Sequence, residues 1–440
     1  MFLHGTSTIN EVGHLEIGGV DTTQLAKQYG TPLFVYDVAL IRNRARAFKQ
    51  TFEKNGVKAQ VAYASKAFST IAMINLVAEE RLSLDVVSAG ELYTALAANF
   101  PVDRIHFHGN NKSVDEIKMG IDAGIGCFVA DNFYELSLLE QLAAEANKRV
   151  SVLLRISPGI EAHTHDYIMT GQVDSKFGFD LSTGQVEKAI EITRNSAHLD
   201  LIGIHSHIGS QIFETTGFLM TVDKIFNAIE KWTNELNFAP KVLNLGGGFG
   251  IRYTEEDDPI PPEKYVAEII DKVKSHVDIL KIDMPEIWIE PGRSIVADAG
   301  TTLYSVGSTK EIPNVRKYLS VDGGMADNLR PALYQAKYEA VLANRVNDEV
   351  EETVSIAGKC CESGDMLIWD LPIPKANAGD ILAVFCTGAY GYSMANNYNR
   401  ISRPAVVFVE NGEAQLVVKR ESLDDLIRLD LPYKTKLKMS

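Results

Sequence analysis

The chain has 440 residues, more than one ordinary hydrophobic core accommodates, and this length predicts two domains. A formal net charge of -15 disfavours binding to nucleic-acid phosphates, and four cysteines without a CxxC pair disfavour a disulfide scaffold or an oxidising compartment. No apolar run is long enough to cross a bilayer, and the first residues lack a secretion signal, so we expect a soluble, cytoplasmic protein.

The first 295 residues predict a strand-helix repeat. A short alternating segment and a helix ended by Gly30 come first, and residues 31–37 are strand-like. Apolar strand candidates then alternate with helical stretches. The eight predicted strands cover residues 60–65, 82–88, 104–108, 127–131, 150–156, 201–207, 242–245 and 286–290. Such alternation implies a parallel sheet, and eight units in about 250 residues match a TIM (β/α)8 barrel. We assign the barrel to residues 31–295.

The remaining residues predict a different domain. Several segments rich in β-formers follow residue 295 with few helices between them. Residues 405–409 and 415–418 flank Asn411-Gly412, the typical turn of a β-hairpin. The fold class is therefore α/β, with a barrel and a second, mostly antiparallel β domain made of residues 1–30 and 296–440.

Lys66 ends the first predicted strand of the barrel. Burial lowers the pKa of a lysine, and the neutral amine can attack a carbonyl carbon to form a Schiff base. The alternative is a lysine whose stem packs on the protein while its amine reaches solvent. The other strand ends decide between these interpretations.

Polar residues collect at the predicted C-terminal ends of the strands, where a TIM barrel carries its active site. These residues are Lys66, Asp85, Ser88, His108, Asn110, Asn111, Arg155, His207, Ser210, Gly246, Gly247, Gly248, Glu290, Gly292 and Arg293. Any one of them could be structural, but the whole set at one end of the barrel is typical of an active site.

Three of these features favour pyridoxal 5'-phosphate as the cofactor. The glycines 246–248 and Arg293 follow strands seven and eight, where barrels bind phosphate, although a plain tight turn is the alternative for the glycines. Glu290 could pair with a protonated pyridine nitrogen. His207 could stack on the ring, or it could be an ordinary core histidine. Together with Lys66 they supply the groups that this cofactor needs.

Three His-x-His patterns keep a metal-dependent barrel hydrolase as a rival: His106/His108, His163/His165 and His205/His207. Arg293 would repel a cation next to Glu290, and the first strand offers no histidine. We interpret the patterns as strand alternation, with one histidine inward and one outward. No metal site is predicted.

At this point the residues resemble a known family, the fold-type III pyridoxal phosphate-dependent decarboxylases, which share an alanine racemase-like architecture. The likeness covers the whole chain and is greatest to members that act on diaminopimelate. It rests on an ordered series of motifs at residues 63–67, 108–112, 175–178, 205–211, 246–250, 290–293, 321–325, 330–334, 361–365 and 388–391.

The resemblance implies decarboxylation of meso-2,6-diaminopimelate to L-lysine and CO2, the last step of lysine biosynthesis, by a homodimer with shared active sites. It implies that Lys66 and Cys361 are catalytic. The implied cofactor-binding residues are Lys66, Asp85, His207, Ser210, Gly247, Gly248, Glu290, Gly292, Arg293 and Tyr390. The implied substrate-binding residues are Arg293, Arg330, Tyr334, Glu362 and Tyr390.

One departure and several alternatives accompany this prediction. Residues 360 and 361 are both cysteine where the family pattern has one, and the Cys-Glu-Ser order assigns the catalytic role to Cys361. The enzyme could instead decarboxylate another basic amino acid or a carboxylated polyamine. An amino-acid racemase, which uses a tyrosine where Cys361 stands, and a pyridoxal phosphate carrier, which resembles the barrel alone, are the remaining rivals.

Overall fold

A computed structural model describes residues 2–160 and 175–433, and the chain divides into two compact units. The first comprises residues 1–5, 38–299 and 388–393. The second comprises residues 6–37, 300–387 and 394–440. The His163/His165 pattern, together with the rest of the segment 161–174, lies outside the described residues.

The β-strands are numbered in chain order. They are β1 (Thr8–Ile9), β2 (Leu15–Ile17), β3 (Val20–Asp21), β4 (Leu33–Asp37), β5 (Ala59–Ala64), β6 (Ser83–Val86), β7 (Ile105–Phe107), β8 (Cys127–Ala130), β9 (Val150–Ser157), β10 (Phe179–Asp180), β11 (Leu199–Ser206), β12 (Val242–Asn244), β13 (Glu286–Ile289), β14 (Gly300–Ile312), β15 (Arg316–Val321), β16 (Ala340–Leu342), β17 (Glu352–Ala357), β18 (Met366–Ile373), β19 (Ile381–Val384), β20 (Ala405–Glu410) and β21 (Glu413–Val418).

The α-helices follow the same order. They are α1 (Thr22–Tyr29), α2 (Val38–Lys54), α3 (Ile71–Glu79), α4 (Ala89–Ala97), α5 (Val114–Ala123), α6 (Phe133–Glu145), α7 (Gln185–Asn195), α8 (Thr216–Leu236), α9 (Pro262–Leu280), α10 (Arg293–Val296), α11 (Arg330–Tyr334) and α12 (Leu423–Ile427). Among the described residues, no helix has the length and apolar character that a membrane crossing requires.

The first unit contains the predicted TIM barrel. Parallel strands pair in the order β5, β6, β7, β8, β9, β11, β12 and β13, and β13 pairs with β5 to close the ring. The short β10 adds to β9 outside the ring. The strand interiors are buried on both faces, as in β5, where Val61 to Ala64 are at most 5% exposed. All eight barrel strands of the sequence analysis are confirmed.

The second unit is built on a sheet with the path β18-β17-β15-β14-β4-β20-β21, while β16 and β19 pair with each other and β19 pairs with β14. Most pairs are antiparallel; β15 with β17 and β20 with β4 are parallel. The hairpin of β20 and β21 turns at Asn411 and Gly412, both with positive φ, as the Asn-Gly pair predicts. A small sheet of β1, β2 and β3 belongs to the same unit.

The predicted boundary at residue 31 is wrong for one strand. The sequence pattern places residues 31–37 in the barrel, but β4 pairs with β14 and β20 in the sheet of the second unit. All five residues of β4 are buried, so its uniform apolar pattern fits a central strand of either kind of sheet. Residues 388–393, which include Tyr390, group with the first unit.

Candidate active site

Lys66 lies in a short 3-10 turn, Ser65–Ala67, that directly follows β5. The turn is fixed from both sides by hydrogen bonds: Tyr63 Oη donates to the carbonyl of Phe68, and the backbone N–H of Tyr390 donates to the carbonyl of Ala67. Thr70 then caps α3 by accepting from the N–H of Met73. The predicted transition from a strand to a helix around Lys66 is confirmed.

Acids surround the amine of Lys66. Desolvation is the largest single influence and lowers the pKa of Lys66, but electrostatic interactions with Asp85, Tyr390 and Glu290 outweigh it and raise that pKa above the ordinary value. The expectation of a lowered pKa is therefore wrong for the protein alone. The amine is an ammonium that must lose a proton before it can react with a carbonyl.

Glu290 follows β13 and is held at both carboxylate oxygens. Asn244 Nδ2 donates to Oε1 at 2.7 Å, and His205 Nε2 lies 3.0 Å from Oε2. His108 Nε2 is also 3.0 Å from Oε1, without the alignment of a hydrogen bond. Burial is the largest influence and raises the pKa of Glu290, but the His108 and His205 rings hold it well below its ordinary value. Glu290 is therefore an oriented, ionised carboxylate.

The histidines of each described His-x-His pattern share a face, contrary to the predicted alternation. His205 reaches Glu290, while His207 Nδ1 accepts from the N–H of Gly247 at 3.2 Å. His106 stacks on Trp288 from β13, and His108 lies beside Glu290. The physical reason is the period of a strand: residues i and i+2 lie on the same side. Burial lowers the pKa of His205 and holds that of His207 well below its ordinary value, so both rings are neutral.

An arginine with several partners lies at the start of α10. Arg293 Nε and Nη2 donate to Ser210 Oγ at 3.2 and 3.0 Å, and Nη1 donates to Tyr253 Oη at 2.6 Å. The Tyr390 ring lies 5.0 Å from the guanidinium carbon. The predicted residues Ser210, Arg293 and Tyr390 are thus brought together, and Tyr253 joins them. A buried, fully oriented guanidinium of this kind suits a phosphate group.

The glycine run after β12 is required by close packing. A Cβ at Gly247 would lie 2.1 Å from the carbonyl oxygen of Glu290, and one at Gly248 would lie 2.5 Å from that of Gly209. Gly248 also has a φ of +108°, which L side chains rarely adopt. These glycines bring the backbone close to the residues that surround Arg293 and Glu290. Gly292 lies against β5, where a Cβ would be 2.9 Å from that of Ala64.

Asp85 at the end of β6 is the second buried acid of the barrel mouth. Its Oδ1 has no hydrogen-bond partner among the described residues and lies 3.7 Å from His108 Nε2. Burial, opposed by His108 and Lys66 and reinforced by Glu290, raises the pKa of Asp85 to about 6. A buried polar atom without a partner indicates that this position faces a polar ligand or water.

The other four predicted residues lie in the second unit. Arg330 begins α11, is buried, and donates from Nη1 to Tyr338 Oη at 2.8 Å. Tyr334 ends the same helix and is exposed. Cys361 and Glu362 are exposed in the loop between β17 and β18.

The barrel residues fit pyridoxal phosphate on chemical grounds. Lys66 supplies an amine, Glu290 an oriented carboxylate, and Arg293 with Ser210 a site for an anion. The unpartnered Oδ1 of Asp85 supplies a further polar atom facing the same region.

One group of side chains in the described part of the chain has the composition of a metal site. Ligand atoms of His108, His205 and Glu290 all lie within 4.8 Å of one another. The same carboxylate already accepts hydrogen bonds from His205 and Asn244, and the positive Lys66 and Arg155 act on this cluster. We therefore interpret His108 and His205 as residues that hold Glu290 in place, and not as metal ligands.

Sequence reasoning missed the residues that hold the predicted ones. Asn244 and His205 fix Glu290, and Tyr253 fixes Arg293. A signal existed for His205, since it lies two residues before His207 on the same face of β11. Tyr253 comes from a loop and carries no such signal.

Comparisons with known proteins agree with this geometry. Residues 38–297 match the family model described as the pyridoxal binding domain of pyridoxal-dependent decarboxylases. The diaminopimelate decarboxylase of Bacillus methanolicus is 69% identical and covers 96% of this chain and 98% of its own length. The diaminopimelate decarboxylase of Bacillus subtilis is 66% identical, with full coverage of both chains.

A solved structure has the same fold over nearly the whole chain. The diaminopimelate decarboxylase of M. jannaschii, in a co-complex with L-lysine, superposes with a TM-score of 0.91 at 38% identity and covers 97% of this chain and 98% of its own. The family model, the full-length relatives and the solved structure all indicate the same family. The chain belongs to the diaminopimelate decarboxylase family of pyridoxal-dependent decarboxylases.

Proposed function

We propose that this chain is a pyridoxal phosphate-dependent carboxy-lyase that converts meso-2,6-diaminopimelate into L-lysine and CO2, the last step of lysine biosynthesis. The observation that carries the chemistry is the ionised Glu290, fixed by His205 and Asn244 on the barrel that also bears Lys66. The choice of substrate is supported by 66% identity to a diaminopimelate decarboxylase over the full length of both chains.

The proposed roles follow from the groups that each residue offers. Lys66 would hold the cofactor through its amine, and the Glu290 carboxylate would face the pyridine nitrogen and favour its protonated form. His207 would contact the ring, and Asp85 would add a polar contact. The phosphate would be bound by Ser210, Gly247, Gly248, Gly292, Arg293 and Tyr390. The bound cofactor supplies an electron sink for the pair left when the bond between Cα and the carboxylate breaks.

The protein must also bind the far end of the substrate and return a proton. We assign the second carboxylate and amino group of diaminopimelate to Arg293, Arg330, Tyr334, Glu362 and Tyr390. The Cys361 thiol gives its proton to Cα after CO2 has left, so that one proton replaces one carboxylate in the product. Water or buffer then reprotonates the thiolate.

The direct test is CO2 release from a panel of amino acids by the purified, cofactor-loaded protein. We expect turnover of meso-diaminopimelate with L-lysine as the product. Turnover of only arginine, ornithine or a carboxylated polyamine would contradict the substrate assignment. Racemisation without CO2 release, or no reaction at all, would favour a racemase or a cofactor carrier.

We further propose that the enzyme is a homodimer in which Cys361 completes the active site of the partner subunit. The assignment rests on the family, and a mixing experiment tests it. Inactive Lys66→Ala and Cys361→Ala proteins, denatured together and refolded, should regain about one quarter of wild-type activity, since half of the dimers then carry one intact site. No recovery, with dimers present by light scattering, would contradict shared sites.

We place the enzyme in the cytoplasm. Its four cysteines Cys127, Cys360, Cys361 and Cys386 are all free thiols in the structure, as a reducing compartment favours. Fractionation of the producing cell, with activity measured in each fraction, tests this assignment. Activity concentrated outside the cytoplasmic fraction would contradict it.

A further inference from the structure

The loop that carries Cys361 and Glu362 has a carboxylate at its base. Residues 358–365 connect β17 to β18, and positions 361–364 at the tip are exposed. Asp365 is the last residue of this loop and is only 3% exposed. A buried acid below an exposed tip needs a structural explanation, because an unsatisfied carboxylate is costly to bury.

The carboxylate of Asp365 joins two loops. Its Oδ2 accepts from the N–H of Cys360 at 2.8 Å, within its own loop. Its Oδ1 accepts from the N–H of Met325 at 2.6 Å, in the loop that follows β15. The two loops start side by side because β15 and β17 are paired in parallel up to Ser320 and Ala357. One side chain therefore closes the Cys361 loop and attaches it to its neighbour.

Two glycines pack directly against the carboxylate of Asp365. A Cβ at Gly358 would lie 2.2 Å from both carboxylate oxygens, and one at Gly324 would lie 2.4 Å from Oδ2. Both glycines are needed for the carboxylate to reach the two backbone N–H groups. Lys359 N–H also donates to the carbonyl of Gly323 at 2.9 Å, which adds a direct bond between the loops.

The tip of the loop is held through Cys360 and also through Asn399, whose Oδ1 accepts from the N–H of Cys361 at 2.7 Å. The N–H of Glu362 donates to the carbonyl of Cys360 at 2.8 Å, so Glu362 is attached to the residue that Asp365 holds. Burial, with a contribution from the neighbouring Asp365, raises the pKa of the Cys360 thiol to about 12. Cys360 is 8% exposed, whereas Cys361 beside it is exposed. The neighbouring cysteines thus differ in environment: Cys360 is buried beside Asp365, and Cys361 is exposed.

We propose that Asp365 is the positioning residue of the active-site loop, holding Cys361 and Glu362 in place by joining Cys360 to Met325. This inference rests on the proposed function for its catalytic consequence, but not for the loop geometry. Asp365 itself touches no reacting atom in the proposed mechanism. Its loss should release Cys360 and displace Cys361 and Glu362 together.

Thiol labelling tests the geometry without any substrate. In a Cys361→Ala background, the holoenzyme is treated with methyl methanethiosulfonate, and modification of Cys360 is followed by mass spectrometry. Asp365→Asn should raise the labelling rate of Cys360 about tenfold or more, because an amide accepts from only one of the two N–H groups and sets a donor against the other. Gly358→Ala, which keeps the charge of Asp365 but displaces its carboxylate, should raise the rate as well. Faster labelling in Asp365→Asn alone would reflect the lost charge and would contradict the proposal. Equal rates with and without Asp365→Asn would overturn the proposal.

The matched control is Asp380→Asn. Asp380 is a buried carboxylate of the same unit that accepts from the N–H of Asn377 and from the side chains of Asn344 and Arg345. The variant should lower the unfolding temperature and leave Cys360 protected. If Asp365→Asn does not fold, Gly358→Ala displaces the carboxylate while keeping the acid, and the same comparison applies. Equal labelling in Gly358→Ala and Asp380→Asn also contradicts the proposal.

Steady-state kinetics test the consequence for catalysis. With Cys361 present, Asp365→Asn should lower kcat about tenfold or more and raise KM for meso-diaminopimelate, while Asp380→Asn keeps both within about twofold. Faster Cys360 labelling with unchanged kcat and KM would overturn the positioning role. If the wild-type protein does not act on meso-diaminopimelate, the substrate assignment fails, while the labelling result still decides the role of Asp365 in the loop.

Discussion

His205 Nε2 lies 3.0 Å from Glu290 Oε2, although the two residues come from β11 and from the end of β13, with β12 between them. Asn244 at the end of β12 holds the other carboxylate oxygen. Three successive strands of the barrel thus fix one acid. Because the neutral His205 ring can donate from Nε2, the carboxylate stays ionised where a pyridine nitrogen would need it.

Removing the His205 donor should weaken cofactor binding. A hydrogen bond to a charged group contributes about 1.5–3 kcal/mol, so we expect His205→Phe to raise the Kd for pyridoxal phosphate about tenfold to a hundredfold. His205→Gln, which keeps a donor, should recover part of the loss. Absorbance titration of the apoprotein measures the affinity. His106→Phe is the control, since His106 contacts Gln60 and Trp288. An equal loss in both variants would contradict a specific role for His205.

Tyr253 should contribute to the binding of the cofactor's phosphate group and not to the binding of its pyridine ring. Its hydroxyl accepts from Arg293 Nη1 at 2.6 Å. We expect Tyr253→Phe to weaken binding of pyridoxal phosphate about two- to tenfold and to leave binding of pyridoxal unchanged. Tyr265→Phe removes a comparable buried hydroxyl, which donates to the carbonyl of Ile212, and should change neither affinity. Equal losses for both ligands would mean that Tyr253 acts on the barrel as a whole.

Lys112, the last residue of the motif at residues 108–112, forms a buried ion pair with Glu135. Lys112 Nζ lies 2.6 Å from Glu135 Oε1 and donates to the carbonyls of Gly109 and Val129, both at 2.9 Å. Lys112→Met should lower the free energy of unfolding of the barrel by about 3–5 kcal/mol, because it leaves the Glu135 carboxylate buried without a counter-charge, with only the N–H of Asp131 donating to its Oε2. Urea denaturation measures the change.

The control for this ion pair is an exposed one. Arg149 and Asp200 form an exposed pair, with side chains that are 62% and 43% exposed. Arg149→Met breaks this pair and should lower the free energy of unfolding by less than about 1 kcal/mol. The double variant Lys112→Met/Glu135→Leu removes both charges and should recover part of the lost stability. Equal effects of Lys112→Met and Arg149→Met would contradict the importance of burial.

The stability of the second unit should fall as pH rises from about 4 to about 7. Burial raises the pKa of Asp327 to about 7, opposed by hydrogen bonds from Tyr304 and Gly324 and reinforced by Asp365. The unfolded chain loses this proton near pH 4, so the folded state alone holds it between about pH 4 and 7. The stabilisation is complete below about pH 4 and is lost as pH rises to about 7.

Asp327→Asn should therefore reduce the difference in unfolding free energy between pH 5 and pH 8 by about 2–3 kcal/mol. Urea titrations at both values measure it. Asp380→Asn should keep the wild-type difference, since the pKa of Asp380 is lowered, chiefly by hydrogen bonds that outweigh its burial, and the group stays ionised across this range. An unchanged difference in Asp327→Asn would mean that Asp327 is ionised in the fold at pH 5.

Much of the architecture was predictable from local patterns. The alternation of apolar strands with helices predicted the barrel, and Asn411-Gly412 predicted the hairpin, because both signals depend on residues close in the chain. The position of β4 was not predictable, since a strand buried on both faces looks the same in either sheet. The facing of the His-x-His pairs was predictable from strand geometry and was misinterpreted.

The sequence by itself determined which side chains stand at the ends of the barrel strands, because strand period and order along the chain bring Lys66, Asp85, His207 and Glu290 to one end. Only the tertiary structure decided what holds them. The contacts of Glu290 with His205 and of Arg293 with Tyr253 join residues 85 and 40 positions apart, and the Asp365 carboxylate reaches Met325 across 40. Such contacts depend on how distant segments pack in three dimensions, so no local sequence pattern predicts them.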